Sequence, residues 1–236
     1  MPADRICAHR LQAGNGISEN QRSENMNQKI NYQKEMEKIL AELEAEGRTP
    51  RLLLHSCCAP CSSYVLEYLS PYFFITDFYY NPNIAPADEY RKRVSEMQRL
   101  IREMPLPHPV EFEEGVYDPD RFYEMARGKE DIPEGGERCF ACFEMRLREA
   151  AQEALRLHMD YFTTSLSISP LKDAQKLNEI GIRLGEEYGI PYLVSDFKKK
   201  NGFRRSTELS REYHLYRQNY CGCVYSRRQA EREGRV

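Results

Sequence analysis

From Arg51 onward, short apolar runs alternate with amphipathic stretches, and that alternation restricts the chain to one class of fold. The runs at 51–56, 73–79, 108–113, 160–164 and 191–195 have the length and composition of buried strands. Between them, 60–69, 87–103, 119–127, 139–158 and 173–187 carry apolar residues at helical spacing. Strands separated by helices are brought parallel by right-handed crossovers, so the pattern predicts an α/β open parallel sheet with helices on both faces. Leu52-Leu53-Leu54 marks a central strand buried on both sides. Such sheets hold ligands beyond the carboxyl ends of their strands. The segment after that strand, Cys57 to Cys61, and the hydroxyl-rich Thr163 to Pro170 after the fourth are therefore expected at one rim. Helix capping before Leu171 is the competing role for those hydroxyls.

The flanks differ. Residues 1–24 are polar and read as a disordered lead. Residues 26–46 place Ile30, Met36, Ile39, Leu40 and Leu43 near one helical stripe, with Gly47 as the stop. Residues 1–48 are thus expected to be an N-terminal extension, a lead followed by an amphipathic helix, and 49–236 a single domain. Its end, 203–236, reads as a helix, a Cys-Gly-Cys turn and a basic tail, and 128–137 as a polar, Gly-rich loop. No apolar run approaches bilayer length and Met1 to Glu24 lacks the core of a secretory signal, so a cytoplasmic protein without membrane contact is expected.

A chain of 236 residues buries a core without disulfides, yet it has eight cysteines. Seven fall into three groups: Cys57, Cys58 and Cys61; Cys139 and Cys142; Cys221 and Cys223. In a reducing compartment, clustered thiols serve metal ligation or redox chemistry. Cys7, near His9, has no partner pair and reads as incidental. Cys139-x-x-Cys142 opens a helix, where dipole and free amides lower a thiol pKa. With Cys57 and Cys58 it completes four thiolates, suiting tetrahedral zinc or a four-iron cluster. If the first strand continues, the side chains of Cys57 and Cys58 diverge, which favours the larger iron–sulfur centre. Cys221-Gly222-Cys223 can close only a strained, easily reduced ring, the mark of an electron relay, with metal ligation as its rival.

The net charge of −3 hides a block at 198–228 with nine Lys or Arg against two Glu, an excess of +7 that leaves −10 elsewhere. With Phe203, Tyr213, Tyr216, Tyr220 and Tyr225 interleaved, the block suits nucleic acid. A solvated amphipathic helix is the plain alternative.

Five motifs then occur in order. They are His55-Ser56-Cys57-Cys58-Ala59-Pro60-Cys61, Tyr79-Tyr80-Asn81-Pro82-Asn83-Ile84, Arg138-Cys139-Phe140-Ala141-Cys142-Phe143-x-Met145-Arg146-Leu147, Thr163-Thr164-x-Leu166-x-Ile168-Ser169-Pro170-x-Lys172, and Phe197-Lys198-Lys199 with Tyr213 to Cys223. Over 51 to about 228 the chain resembles the epoxyqueuosine reductases of the QueH type. The resemblance implies a Rossmann-like domain that uses a [4Fe-4S] cluster to remove the epoxide oxygen of epoxyqueuosine at the wobble position of tRNA with a GUN anticodon. It implies Cys57, Cys58, Cys139 and Cys142 as cluster ligands and Cys221 with Cys223 as the redox pair. A variant assignment has one of the first two thiols holding an additional mononuclear iron together with Cys61.

Removing an epoxide oxygen takes two electrons and two protons, so an external electron donor is expected and the dithiol or a second metal holds one equivalent. His55, Tyr79, Asp173 and Tyr220 are candidate proton donors. Lys198, Lys199, Lys200, Arg204 and Arg205 are candidate phosphate contacts. Two other functions compete: a zinc-stabilised RNA-binding module, and a thiol-dependent tRNA sulfur transferase, which the absence of a Gly-rich phosphate cradle after the first strand opposes.

Overall fold

A computed structural model describes residues 30–235; the polar lead, Cys7 and His9 lie outside the described residues. Four strands, β1 (Arg51–His55), β2 (Phe74–Tyr79), β3 (Glu111–Glu114) and β4 (Tyr161–Thr164), pair in parallel in the order β3-β2-β1-β4. Eight α-helices accompany them among the described residues: α1 (Tyr32–Ala45), α2 (Ala59–Leu69), α3 (Ala87–Glu103), α4 (Pro119–Ala126), α5 (Glu137–Arg156), α6 (Ala174–Tyr188), α7 (Gly202–Glu212) and α8 (Val224–Arg232).

The side-chain parity of β1 divides the interior. Leu52 and Leu54 point into a core with Met36, Leu40 and Leu43 of α1 and the apolar faces of α2 and α3. Leu53, on the opposite face, packs among Phe143 and Leu147 of α5 and Leu177 and Leu184 of α6. Alternate residues of one strand thus serve two helical layers, the arrangement expected of an open α/β sheet covered on both sides. The helix of the expected N-terminal extension shares the first of these cores.

Three expected elements differ. The run at 191–195 forms only one bridge, Phe162 with Tyr192. Pro191 has no N–H to extend a ladder, and the Asn178 side chain takes the backbone N–H and carbonyl of Ser195. The basic tail is not a tail, because its residues from Val224 form α8 with Cys223 as the N-cap. Strand β3 begins at Glu111 rather than 108; the His108 ring instead meets the Ser70 carbonyl at 2.7 Å.

Candidate thiol and metal centre

Strand β1 stops at His55, and the turn that follows is fixed from β2. The Tyr79 hydroxyl donates to the Cys57 carbonyl at 3.2 Å, and Asn81 Nδ2 donates to the Ser56 carbonyl at 2.8 Å. Cys58 is the extended N-cap of α2, with Pro60 in its first turn, where a missing N–H costs nothing. Extended backbone at Cys58 followed at once by helix gathers Cys57, Cys58 and Cys61, whose sulfurs all lie within 4.8 Å of one another. The expected divergence of Cys57 and Cys58 is overturned: their sulfurs are 3.8 Å apart, because the strand ends before them. Two thiolates about 2.3 Å from one tetrahedral ion stand roughly 3.8 Å apart, so the trio can grip a single metal.

The three thiols are held unequally. Hydrogen bonding with Cys58 and Cys61, aided by Arg146 and Lys172, holds the Cys57 thiol well below its ordinary range. The same bond to Cys57 pushes Cys58 up to about 12 and Cys61 well above the ordinary thiol value.

Helix α5 brings Cys139 and Cys142 to the same rim. Its N-cap is Gly136, so Cys139 is its third residue, and the Gly135 amide donates to the Cys139 sulfur at 3.3 Å. The lowered pKa expected at this helix start does not occur. Burial raises Cys139 and takes Cys142 to about 11, outweighing the amide at Gly135.

The third group hangs on Gly222, whose φ of +118° is a conformation side-chain-bearing residues avoid; a Cβ there would meet Arg93 Nη1 and Ile84 Cγ1 at 3.0 Å. The Ala85 amide donates to the Gly222 carbonyl, and Arg93 Nη1 donates to the Cys221 carbonyl at 3.1 Å. Cys221 and Cys223 are free thiols, and burial takes Cys223 to about 12.

These groups meet around two adjoining cavities. A cleft of about 190 Å³ is floored by Cys57, Cys58 and Cys61 and walled by Tyr220, Cys221 and Lys172. A smaller pocket is lined by Cys139, Cys142, Cys221 and Cys223, again with Lys172. The wall is cationic: Lys172 Nζ donates to Cys221 Sγ at 3.4 Å, and Arg93 and Arg146 are buried beside it. Glu134 is the one carboxylate that lines either cavity among the described residues.

Most of the other expected residues have partners within the fold. The five basic candidates all face carboxylates already: Lys198 and Lys199 pair with Asp196, Lys200 with Glu37, Arg204 with Glu208, and Arg205 with Glu67 at 2.6 Å. Of the hydroxyls expected at the rim, Thr163, Thr164, Ser165 and Ser167 are buried in structural hydrogen bonds, and Ser169 alone lines the cleft. Among the proton-donor candidates, His55 is buried and held to about 3 by that burial and by Arg146. Tyr79 is committed to the Cys57 carbonyl and Asp173 caps α6, which leaves Tyr220 at the cleft. Sequence reasoning gave no role to Arg93 or Arg146. Arg146 had a signal, since it lies four residues after Cys142 and so on the same helical face.

The chain is similar to one family of known proteins. The family model described as "Epoxyqueuosine reductase QueH" matches residues 52–229. A protein of that name from Streptococcus pyogenes serotype M1 is 47% identical over 204 residues, covering 86% of this chain and 80% of the relative. Another from Staphylococcus epidermidis is 45% identical, covering 85% and 86%. One from Thermotoga maritima is 34% identical over 181 residues, covering 74% and 89%.

Proposed function

The chain belongs to the epoxyqueuosine reductase QueH family, and from that premise we propose how this oxidoreductase of queuosine biosynthesis works on its tRNA substrate. The reaction converts epoxyqueuosine to queuosine at the wobble position of tRNA with a GUN anticodon. The observation that carries the reading is the position of Cys221 and Lys172, which line both the large cleft and the thiol pocket, so substrate space and metal-binding sulfurs share one wall.

Seven sulfurs facing two cavities, with five cations and one carboxylate beside them, are a soft donor set that suits a thiolate-bound iron–sulfur centre. Cys57, Cys58, Cys139 and Cys142 would hold a [4Fe-4S] cluster. The tight spacing of Cys61 with Cys57 and Cys58 supports the variant in which Cys61 and one of them hold an additional iron. When bound, the centre supplies single electrons and a Lewis acid for the epoxide oxygen.

The chain's own residues do the rest. Breaking both carbon–oxygen bonds of the epoxide and forming the alkene consumes two electrons and two protons, and the oxygen leaves as water. Oxidation of the Cys221 and Cys223 dithiol to a disulfide releases two electrons and two protons, which balances the step; an external reductant then restores the thiols. Lys172 holds the Cys221 sulfur against the cleft and stabilises negative charge on it. The wobble nucleoside enters splayed from its strand, past Tyr220 and Phe203 as stacking faces. Arg217, also on the cleft, has no carboxylate partner among the described residues and suits a phosphate. No described helix is long and apolar enough to cross a membrane.

The test is conversion itself. Iron-reconstituted protein, incubated anaerobically with a reductant and tRNA carrying epoxyqueuosine, should yield queuosine in a nucleoside digest. Epoxide that persists with a fully loaded protein would contradict the reading. A colourless zinc protein that binds the same tRNA would favour the RNA-binding module.

A further inference from the structure

Helix α5 carries Cys139, Cys142 and Arg146 along one face. Arg146 is only 1% exposed, and no carboxylate lies within ion-pair distance of it among the described residues. Its Nη2 donates to Asn81 Oδ1 at 2.5 Å and its Nε to His55 Nε2 at 3.3 Å. Neither partner, an amide oxygen and an imidazole nitrogen, carries a negative charge. The two other buried arginines near the site are matched differently. Arg93 meets the Glu89 carboxylate at 2.7 Å, and Arg138 collects the carbonyls of Lys129, Glu130 and Ile132.

A buried charge without a counter-ion costs several kcal/mol, so Arg146 needs an anion that the hydrogen-bonded neighbours do not provide. The anions within its reach would be sulfurs: Arg146 lines the thiol pocket beside Cys139, Cys142, Cys221 and Cys223. Metal binding strips the protons from such thiols and so would provide that anion.

We propose that Arg146 is the built-in counter-ion of the thiolate-bound iron centre, a positioning residue that favours the centre's more negative, reduced form and raises the potential at which it accepts an electron. The inference rests on the iron–sulfur reading above. A fixed positive charge in a low-dielectric interior stabilises the state with one more electron, and net charge near a cluster is a main lever on its potential. Lys172 stands closer to the cleft and bonds Cys221, so the interior side of this compensation falls to Arg146.

The experiment is a redox titration of anaerobically reconstituted protein, read by the visible and electron-paramagnetic-resonance signals of the loaded fraction, with iron and sulfide counted beside it. Arg146→Gln should move the midpoint potential to more negative values, and Arg146→Lys should restore it toward the unsubstituted protein. Asn81→Asp leaves Arg146 in place but gives it a carboxylate at the 2.5 Å contact, so it should shift the potential in the same direction. If Arg146→Gln fails to fold or load, Asn81→Asp decides. A merely structural arginine would lower loading or melting temperature without moving the potential of what is loaded. Unchanged potentials in loaded Arg146→Gln and Asn81→Asp proteins overturn this inference alone. An unsubstituted protein that takes up no iron and sulfide overturns the iron–sulfur reading and this inference with it.

Discussion

The ammonium of Lys172 donates to the sulfur of Cys221 across 3.4 Å, tying the loop after the 3-10 turn Ser165–Ile168 to the Cys-Gly-Cys turn 49 residues later. Burial alone would discharge this amine, but the sulfurs of Cys221 and Cys57 raise its pKa above the ordinary value, so it stays charged at working pH. Hydrogen bonds to charged groups contribute about 1.5–3 kcal/mol, so Lys172→Met should slow turnover by roughly 10- to 100-fold. Iron content should be unchanged. Single-turnover conversion of epoxyqueuosine tRNA measures the rate, and an unaltered rate would show the contact to be idle.

If Cys221 and Cys223 supply the electron pair, replacing both with Ser should abolish turnover. The visible absorption of the loaded centre should survive, because neither residue is assigned as a ligand. Turnover that persists in the double variant rules the dithiol out as the electron store.

Asp77 lies wholly buried in β2 beneath the Cys57 turn and accepts from Ser56 Oγ. Burial raises its carboxyl from 3.8 to about 8. The folded chain therefore keeps a proton that the unfolded chain releases. Stability from this group is complete below about pH 4 and is lost as pH rises through about 8, with a slope of at most about 1.4 kcal/mol per pH unit. Urea unfolding of the Asp77→Asn protein should show a flatter pH dependence across that window. An identical slope in both proteins would contradict the assignment.

Lys200 pairs with Glu37, and Arg204 with Glu208, on open surface. Exposed ion pairs are worth about 0–1 kcal/mol, so an RNA phosphate can displace the carboxylates at small cost. Replacing Lys199, Lys200 and Arg204 with Ala should weaken tRNA binding and flatten its salt dependence, by up to about 0.9 in the log–log slope for each lost phosphate contact. Glu37→Gln should act oppositely by freeing Lys200. Equal salt slopes in the triple variant and the parent would move the RNA contact away from this segment.

The fold was legible where patterning is strong. Leu52-Leu53-Leu54 reads as a strand with two buried faces, and those residues do serve two cores. The run at 191–195 has the same texture, but Pro191 and the side chain of Asn178 divert its hydrogen bonds from the sheet. At the site, thiol grouping gave the residues, while their geometry depended on where β1 stops. One residue more of strand would have turned Cys58 away from Cys57. The ion pairs of the basic block were not legible because sequence shows local charge, whereas Glu37 and Glu67, which answer Lys200 and Arg205, come from α1 and α2. Arg146 lacked a visible role because its meaning lies in a partner it does not have.

The central claim is that sulfurs from the turn at 57 and the helix at 139 hold one iron–sulfur centre. Iron and acid-labile sulfide should be counted in protein purified anaerobically, for the parent chain and for Cys139→Ser. The account expects about four iron and four sulfide per chain, with a further iron where Cys61 is engaged, and loss of the cluster in the variant. Zinc without sulfide, or a full cluster that survives Cys139→Ser unchanged, would contradict it.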